Sequence, residues 1–432
     1  MLFREVFYDS VLRAVRPVVR LAAPLDGKLA RGVAGWSGAA GALQAWAAES
    51  RDPARPLVWV HAPSVGEGLM AQAIVDALRR ERPEVQVVFT HFSPSAERLV
   101  GRVGADAYGY LPWDVGREVG RVVAALKPAV IAFVRTEIWP GLVREAKGAG
   151  ARLALVNAVL SAGSSRLGAV SRYFLGPAYG RLDAVGAVAA EDAGRFPLLG
   201  VPAERVRVTG DARFDQVWSR VSGLDRGSRL LERLRDPRVT TVVAGSTWPA
   251  DEKRLVPAFA RVRASAPFRL IVAPHEPDEA HLEGLERRLD AAGLRHARLA
   301  RVEREGGELP EVVVIDRVGV LADVYAVGDV AYVGGGFHAA GLHSVVEPAA
   351  LGVPVLFGPQ HGNAREAGEL AAAGGGAVVE DEGPLAARLR ELAADANARR
   401  RMGEQAVRYV RSRLGGAARN AELIAELLDA AR

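Results

Sequence analysis

Short runs of valine, isoleucine, leucine and alanine recur along this chain, and between them lie stretches with the apolar period of a helix. In the first half the runs fall at 57–61, 85–90, 129–134, 153–156 and 184–189. In the second they fall at 240–244, 270–272, 312–315, 330–333, 355–357 and 377–379. A continuously apolar strand is one buried on both faces, and strands of that kind alternating with helices build a mostly parallel, doubly wound sheet. The pattern occurs twice. At 432 residues the chain exceeds what one core comfortably fills. The expected fold class is therefore α/β, two Rossmann-like doubly wound domains preceded by an amphipathic helix. That helix is expected over 1–30, the first domain over 31–219 and a charged linker over 220–239. The second domain, with its C-terminal helices, is expected over 240–432.

The first helix carries two messages. Leu2, Phe3, Val6, Phe7, Val11, Leu12, Val15, Val18 and Val19 fall near one face, interrupted by Arg4, Arg13, Arg16 and Arg20. No charge-free stretch approaches the ~20 residues of a membrane span. Arginines inside the apolar run argue against a signal peptide. The pattern suits a helix lying in a membrane surface with its arginines toward anionic headgroups, or one docked on its own domain. There are no cysteines, so disulfides and thiolate chemistry are absent. The net charge of +5 is modest, and basic and aromatic residues do not interleave as a nucleic-acid binder requires.

Chemistry-bearing residues collect just after the strands, where such sheets place ligands. After 330–333 comes "GGGFHAAGLHSVVEPAALGVPVLFGPQHGNAREA". Gly335, Gly336 and Gly341 permit close backbone approach, and Ser344 can cap a short helix whose N–H groups form a nest for phosphate. Glu347 is placed to accept hydrogen bonds from ribose hydroxyls. Other strand ends offer Ser246 and Thr247 ("GSTWPADE"), His275 ("APHEPDE"), Arg213 ("VTGDARFD"), and Arg135 and Glu137 ("RTEIWPGL"). Singly, each also reads as a helix cap or an ion-pair partner. The first strand leads through "HAPSVGEG" to Glu67 at a helix start, a position that the helix dipole alone would also favour. Dinucleotide and P-loop fingerprints, G-x-S-x-G and H-E-x-x-H are absent, and the eight histidines lack metal-ligand spacing. A carboxylate together with a phosphate nest fits group transfer from a nucleotide-activated donor to a hydroxyl.

These motifs, with "LVNAVLSAGS" between them, stand in an order and spacing that resembles the bacterial 3-deoxy-D-manno-octulosonic acid (Kdo) transferases. The resemblance implies a GT-B architecture and inverting transfer of Kdo from CMP-Kdo to the lipid A precursor. It places the reaction at the cytoplasmic face of the inner membrane, with CMP-Kdo a co-substrate and no metal or other cofactor. Glu67 matches the family's general base, and Arg213 stands where a lysine usually offsets charge on the departing CMP. His275, Gly319, Leu321, Ser344, Val345, Val346 and Glu347 match positions that hold CMP. His343 and Asn363 share that stretch. Ser64, Gly66 and Glu137 are expected on the acceptor side. Two positions depart from the pattern: Arg135 replaces a common glutamate and Pro274 a common arginine, and neither is counted as catalytic. The rivals are another nucleotide-sugar enzyme, a UDP-sugar transferase or epimerase, and a membrane adaptor that has lost catalysis.

Overall fold

The computed structural model describes residues 2–264 and 267–431, in two compact units. The first runs to Gln216 and takes back the chain from Arg413, and the second is Val217–Ser412.

The first unit opens with helices α1 (Leu2–Ala22) and α2 (Gly27–Ser50). Then come β1 (Leu57–His61), α3 (Val65–Glu81), β2 (Gln86–His91), β3 (Ala107–Tyr110), α4 (Gly116–Leu126), β4 (Val130–Val134), α5 (Pro140–Gly148), β5 (Arg152–Ala158), β6 (Ala184–Ala187) and β7 (Val206–Val208). The sheet order is β3-β2-β1-β4-β5-β6-β7, parallel throughout. Successive side chains of a strand point to opposite faces, so each strand feeds two cores. Trp59, Ile131, Phe133 and Leu155 pack against α4 and α5 on one face. Val58, Val60, Val130, Ala132 and Val156 meet Ile74, Val75 and Leu78 of α3 on the other.

That second face is completed by the helix Gly416–Asp429, whose Leu423, Ile424 and Leu428 are buried there. Each such side chain contributes about 1.5–3 kcal/mol. Asn420 of this helix is fully buried, its Oδ1 accepting from the Asn157 N–H at 2.9 Å and the Thr209 hydroxyl at 3.0 Å. The expected second domain extended to 432, but the chain from Arg413 belongs to the first unit. Its small apolar residues fit the open face of the first sheet, a pairing between chain segments that local periodicity does not encode.

The second unit holds β8 (Thr240–Thr247), β9 (Phe268–Pro274), β10 (His296–Arg298), β11 (Val312–Val314), β12 (Val330–Val333), β13 (Val355–Phe357) and β14 (Gly376–Val378). They lie in the order β10-β11-β9-β8-β12-β13-β14, again parallel. Residues expected as linker form the helix Arg229–Leu234, with Leu231 and Leu234 fully buried; they belong to this unit.

Helix α1 is tied down by its polar side chains while much of its apolar face stays bare. Tyr8 donates to Asp114 at 2.9 Å, Arg144 meets Asp9 at 3.2 Å and Arg16 meets Glu118 at 2.7 Å. Val6, Phe7, Val11, Val15, Val18 and Leu21 are exposed. The side chains of Leu2 and Phe3 lie outside the described residues. Among the described residues no helix is long and apolar enough to cross a membrane.

Candidate functional site

In each unit the expected site residues follow the C-terminal ends of parallel strands, so each set lies along one sheet edge. In the first unit, β1 ends at His61 and the chain turns through Pro63 and Ser64 into α3, whose first turn carries Glu67. The Ser64 hydroxyl donates to the Glu67 carboxylate and so fixes its direction. His61 is fully buried. Its Nε2 accepts from the Trp139 indole at 3.0 Å, leaving the proton on Nδ1, 3.0 Å from the Thr90 hydroxyl. Burial first, then His91, pushes its pKa down to about 3, so the ring stays neutral. Trp139 belongs to the loop after β4, and this bond pins that loop beside the Glu67 turn.

The same loop carries Arg135 and Glu137. Burial holds Glu137 above the usual carboxylate range, Arg166 opposes the shift, and Glu67 adds to it. Glu67 and Glu137 are thus within electrostatic reach of one another. The loop is fixed by the Thr136 hydroxyl donating to Val159 O at 2.7 Å and by Tyr179 donating to Thr136 O at 2.6 Å. Behind it, the buried Asp114 accepts from the N–H groups of Gly141 and Leu142 at the start of α5, at 2.8 and 2.6 Å. Past β7, Asp211 accepts from the Arg213 N–H at 2.9 Å and from its guanidinium at 3.2 Å, which aims the cation.

In the second unit the turn after β12 depends on glycine. Gly335 has φ +94° and Gly341 +86°, and a side chain on Gly336 would strike the backbone of Gly358 at 2.5 Å. Buried Asp251 ties this turn down, accepting from the N–H groups of Gly335 and Trp248 at 2.9 Å each and from the Tyr332 hydroxyl at 2.9 Å. Ser344 donates to Glu347. Leu321, following Gly319 (φ +93°), packs against Gly245 at the end of β8. Ser246 sits there with φ +54°, unusual for a non-glycine residue.

Several of the expected residues also have partners inside the unit. Thr247 is fully buried and its hydroxyl is committed to Glu252 at 3.0 Å, so its side chain supports the loop from beneath. Asn363 bonds Leu342 through one side of its amide, accepting from N–H and donating to O, both at 2.9 Å. It clamps the glycine turn. Val345 and Val346 point into the core, which leaves only their backbone at the edge, and the helix there spans just Val346–Ala350.

Four rings converge at this edge, and two were not foreseen. Trp248 stacks on His338 at 4.2 Å with planes 4° apart and lies 4.8 Å from His275, which stacks on His343 at 4.2 Å. Trp248 also donates to Nε2 of His343 at 3.0 Å. Burial, helped by His275 and His338, pushes His343 down to about 4, so it is neutral with its proton on Nδ1. The signal for Trp248 was the aromatic residue directly after a buried strand in "GSTWP". Among the described residues no group of three or more His, Cys, Asp or Glu is placed to hold a metal ion.

Two edges of this kind call for comparison with known proteins. A family profile described as 3-deoxy-D-manno-octulosonic-acid transferase (kdotransferase) matches residues 36–216. A 3-deoxy-D-manno-octulosonic acid transferase of Bordetella pertussis is 31% identical over 386 residues, 86% of this chain and 87% of that protein. The chain belongs to the Kdo transferase family. Membership makes it a glycosyltransferase. The Aquifex aeolicus transferase is 28% identical over 355 residues, 80% of this chain and 88% of the relative. Among solved structures, the UDP-GlcNAc 2-epimerase of Neisseria meningitidis superposes with a TM-score of 0.59 at 12% identity, over 87% of this chain and 100% of that one. At that identity the likeness concerns the fold alone, two Rossmann-like units of the GT-B class. The transferase therefore shares its scaffold with epimerases and its sequence with enzymes named for moving Kdo.

Proposed function

We propose that this transferase moves Kdo from CMP-Kdo to the lipid A precursor (lipid IVA) in lipopolysaccharide synthesis, with inversion and with Glu67 as general base. The observation that carries the reading is Glu67 itself: a half-buried acid in the first turn of α3, oriented by Ser64, at a strand edge built for ligands. In this reading the carboxylate takes the proton of the acceptor hydroxyl as that oxygen attacks the anomeric carbon. The bond to the CMP phosphate breaks on the opposite face, and CMP departs with the electron pair. Arg213, aimed by Asp211, offsets the charge that collects on the leaving phosphate. The glycine turn, His275, His343 and the Ser344–Glu347 segment hold the nucleotide, with the neutral His343 offering an Nδ1 proton. The reaction as drawn uses no metal. The bare apolar face of α1, with Arg13 and Arg20 on the same helix, fits attachment to the cytoplasmic face of the inner membrane, where an acylated acceptor resides.

The test is mass spectrometry of tetra-acylated precursor incubated with CMP-Kdo. The wild type adds the mass of Kdo, and Glu67→Gln loses about 10²–10⁴-fold in rate while CMP still raises its melting temperature. Undiminished transfer by the variant would remove Glu67 from the mechanism. Stabilisation by UDP and not by CMP would point to a UDP-sugar enzyme.

A further inference from the structure

Among the described residues four that are not glycine have positive φ: Lys127, Arg135, Asn157 and Ser246. Lys127 merely ends α4 in the left-handed conformation. Asn157 is compensated by a buried network, its side chain accepting from the Ala212 N–H at 2.7 Å and its own N–H bonded to Asn420. Ser246 borders the glycine turn. Arg135, with φ +84°, has no such compensation through its side chain. Its Nη1 is buried and has no hydrogen-bond partner among the described residues. Arg16, Arg79, Arg269 and Arg388 also bury a nitrogen without a hydrogen bond, but each meets a carboxylate through another. Arg288 buries one too, yet it lies in the regular helix Glu279–Ala291, and only Arg135 among these combines the orphan nitrogen with a positive φ.

The backbone around Arg135 is held against its strain. Its N–H bonds to Val156 O at 3.0 Å, and Thr136 is gripped from both sides by Val159 and Tyr179. Strained backbone that the surroundings over-determine gathers where a side chain must be presented to a ligand. A buried guanidinium nitrogen without a partner is costly unless something external completes it. Both features fall two residues before Glu137, at the strand edge that also carries Glu67.

We propose that Arg135 is an anion-binding residue, its guanidinium completed by an oxyanion of a substrate, a carboxylate or a phosphate, delivered to this edge. Assigning that oxyanion to a particular substrate rests on the function proposed above, where the candidates are the carboxylate of the donor sugar and a phosphate of the acceptor lipid. An arginine fork matches either group in a bidentate way.

The test has two stages. First, without any substrate, inorganic phosphate raises the melting temperature of the wild type more than that of Arg135→Gln, and Arg135→Gly alone melts at or above the wild type. Glycine relieves the positive φ and deletes the orphan nitrogen. Equal phosphate shifts in wild type and Arg135→Gln, or an Arg135→Gly variant that melts several degrees lower, overturn the proposal. This stage stands even if the wild type transfers no Kdo, a result that would sink the proposed function instead. Second, in the transfer assay, Arg135→Gln raises KM at least about tenfold for the substrate that carries the anion, and Arg135→Lys restores part of the loss. If the source is the acceptor, removing its phosphate abolishes the difference between wild type and variant; if it is the donor, the difference persists. Unchanged KM for both substrates overturns the proposal.

Discussion

The indole N–H of Trp248 donates to Nε2 of His343, and this one bond decides which nitrogen of the imidazole carries the proton. With Nε2 occupied as acceptor, the neutral ring presents Nδ1–H as its donor. Trp248→Phe keeps an aromatic ring over His338 but frees Nε2. Nitrogen-15 shifts of His343 are expected to move from a single tautomer toward a mixture, and CMP affinity to fall about threefold to tenfold. An unchanged tautomer in the variant contradicts the assignment.

Asp114 gives the first unit a pH dependence of defined sign. Burial raises its pKa from 3.8 to about 7, against hydrogen bonds from Gly141, Tyr8 and Leu142 that favour the anion. The native state therefore keeps a proton between those values that the unfolded chain has lost. Its contribution to stability is complete below pH ~4 and disappears as pH rises through about 7. His61 acts oppositely, since its pKa is depressed and its contribution is lost as pH falls below the ordinary histidine value toward about 3. A comparison of wild type with Asp114→Asn, which imitates the protonated acid, isolates the first effect. The wild type is expected to lose on the order of 1–3 kcal/mol relative to the variant between pH 4 and 7 in urea melts. Parallel curves would contradict it.

Asn420 holds the returning helix by accepting two hydrogen bonds inside the first unit. Asn420→Ala leaves the Asn157 N–H without its acceptor and takes one from the Thr209 hydroxyl, at about 1–3 kcal/mol for each group left unpaired. Because Asn157 also holds the Ala212 N–H beside Arg213, activity is expected to fall along with the melting temperature. Full stability in the variant would mean that water replaces the amide.

The bare face of α1 makes a prediction about membranes. Val11 and Val18 are 41% and 63% exposed, so Val11→Asp with Val18→Asp removes no core contact. The wild type is expected to sediment with vesicles containing anionic lipid, and the double variant to remain in the supernatant at an unchanged melting temperature. Equal sedimentation of both would assign vesicle binding elsewhere.

The central strands were legible because each is apolar on both faces, and β1, β4, β8 and β12 fall close to the expected runs. The strands that escaped were β3, β7 and β10, all at the edges of their sheets. Ala107–Tyr110, Val206–Val208 and His296–Arg298 are short and only partly buried, so their composition carries little strand signal. The site was legible as a set of strand ends. What the strand end hid at Thr247 was burial, since its hydroxyl is fully buried against Glu252, whereas Asn363 stays exposed and also holds the glycine turn through Leu342. Trp248 and His338 were hidden differently, since a stack between residues so far apart in the chain has no local pattern.

The return of the chain at Arg413 sets an order of events on the ribosome. The first parallel sheet emerges early with one side covered only in part, by α3, and the entire second unit must be synthesised before the helix Gly416–Asp429 can complete that cover. The amino-terminal unit is begun first and finished last. A nascent chain stopped anywhere before residue 416 carries a sticky, half-clad sheet that invites chaperones or aggregation.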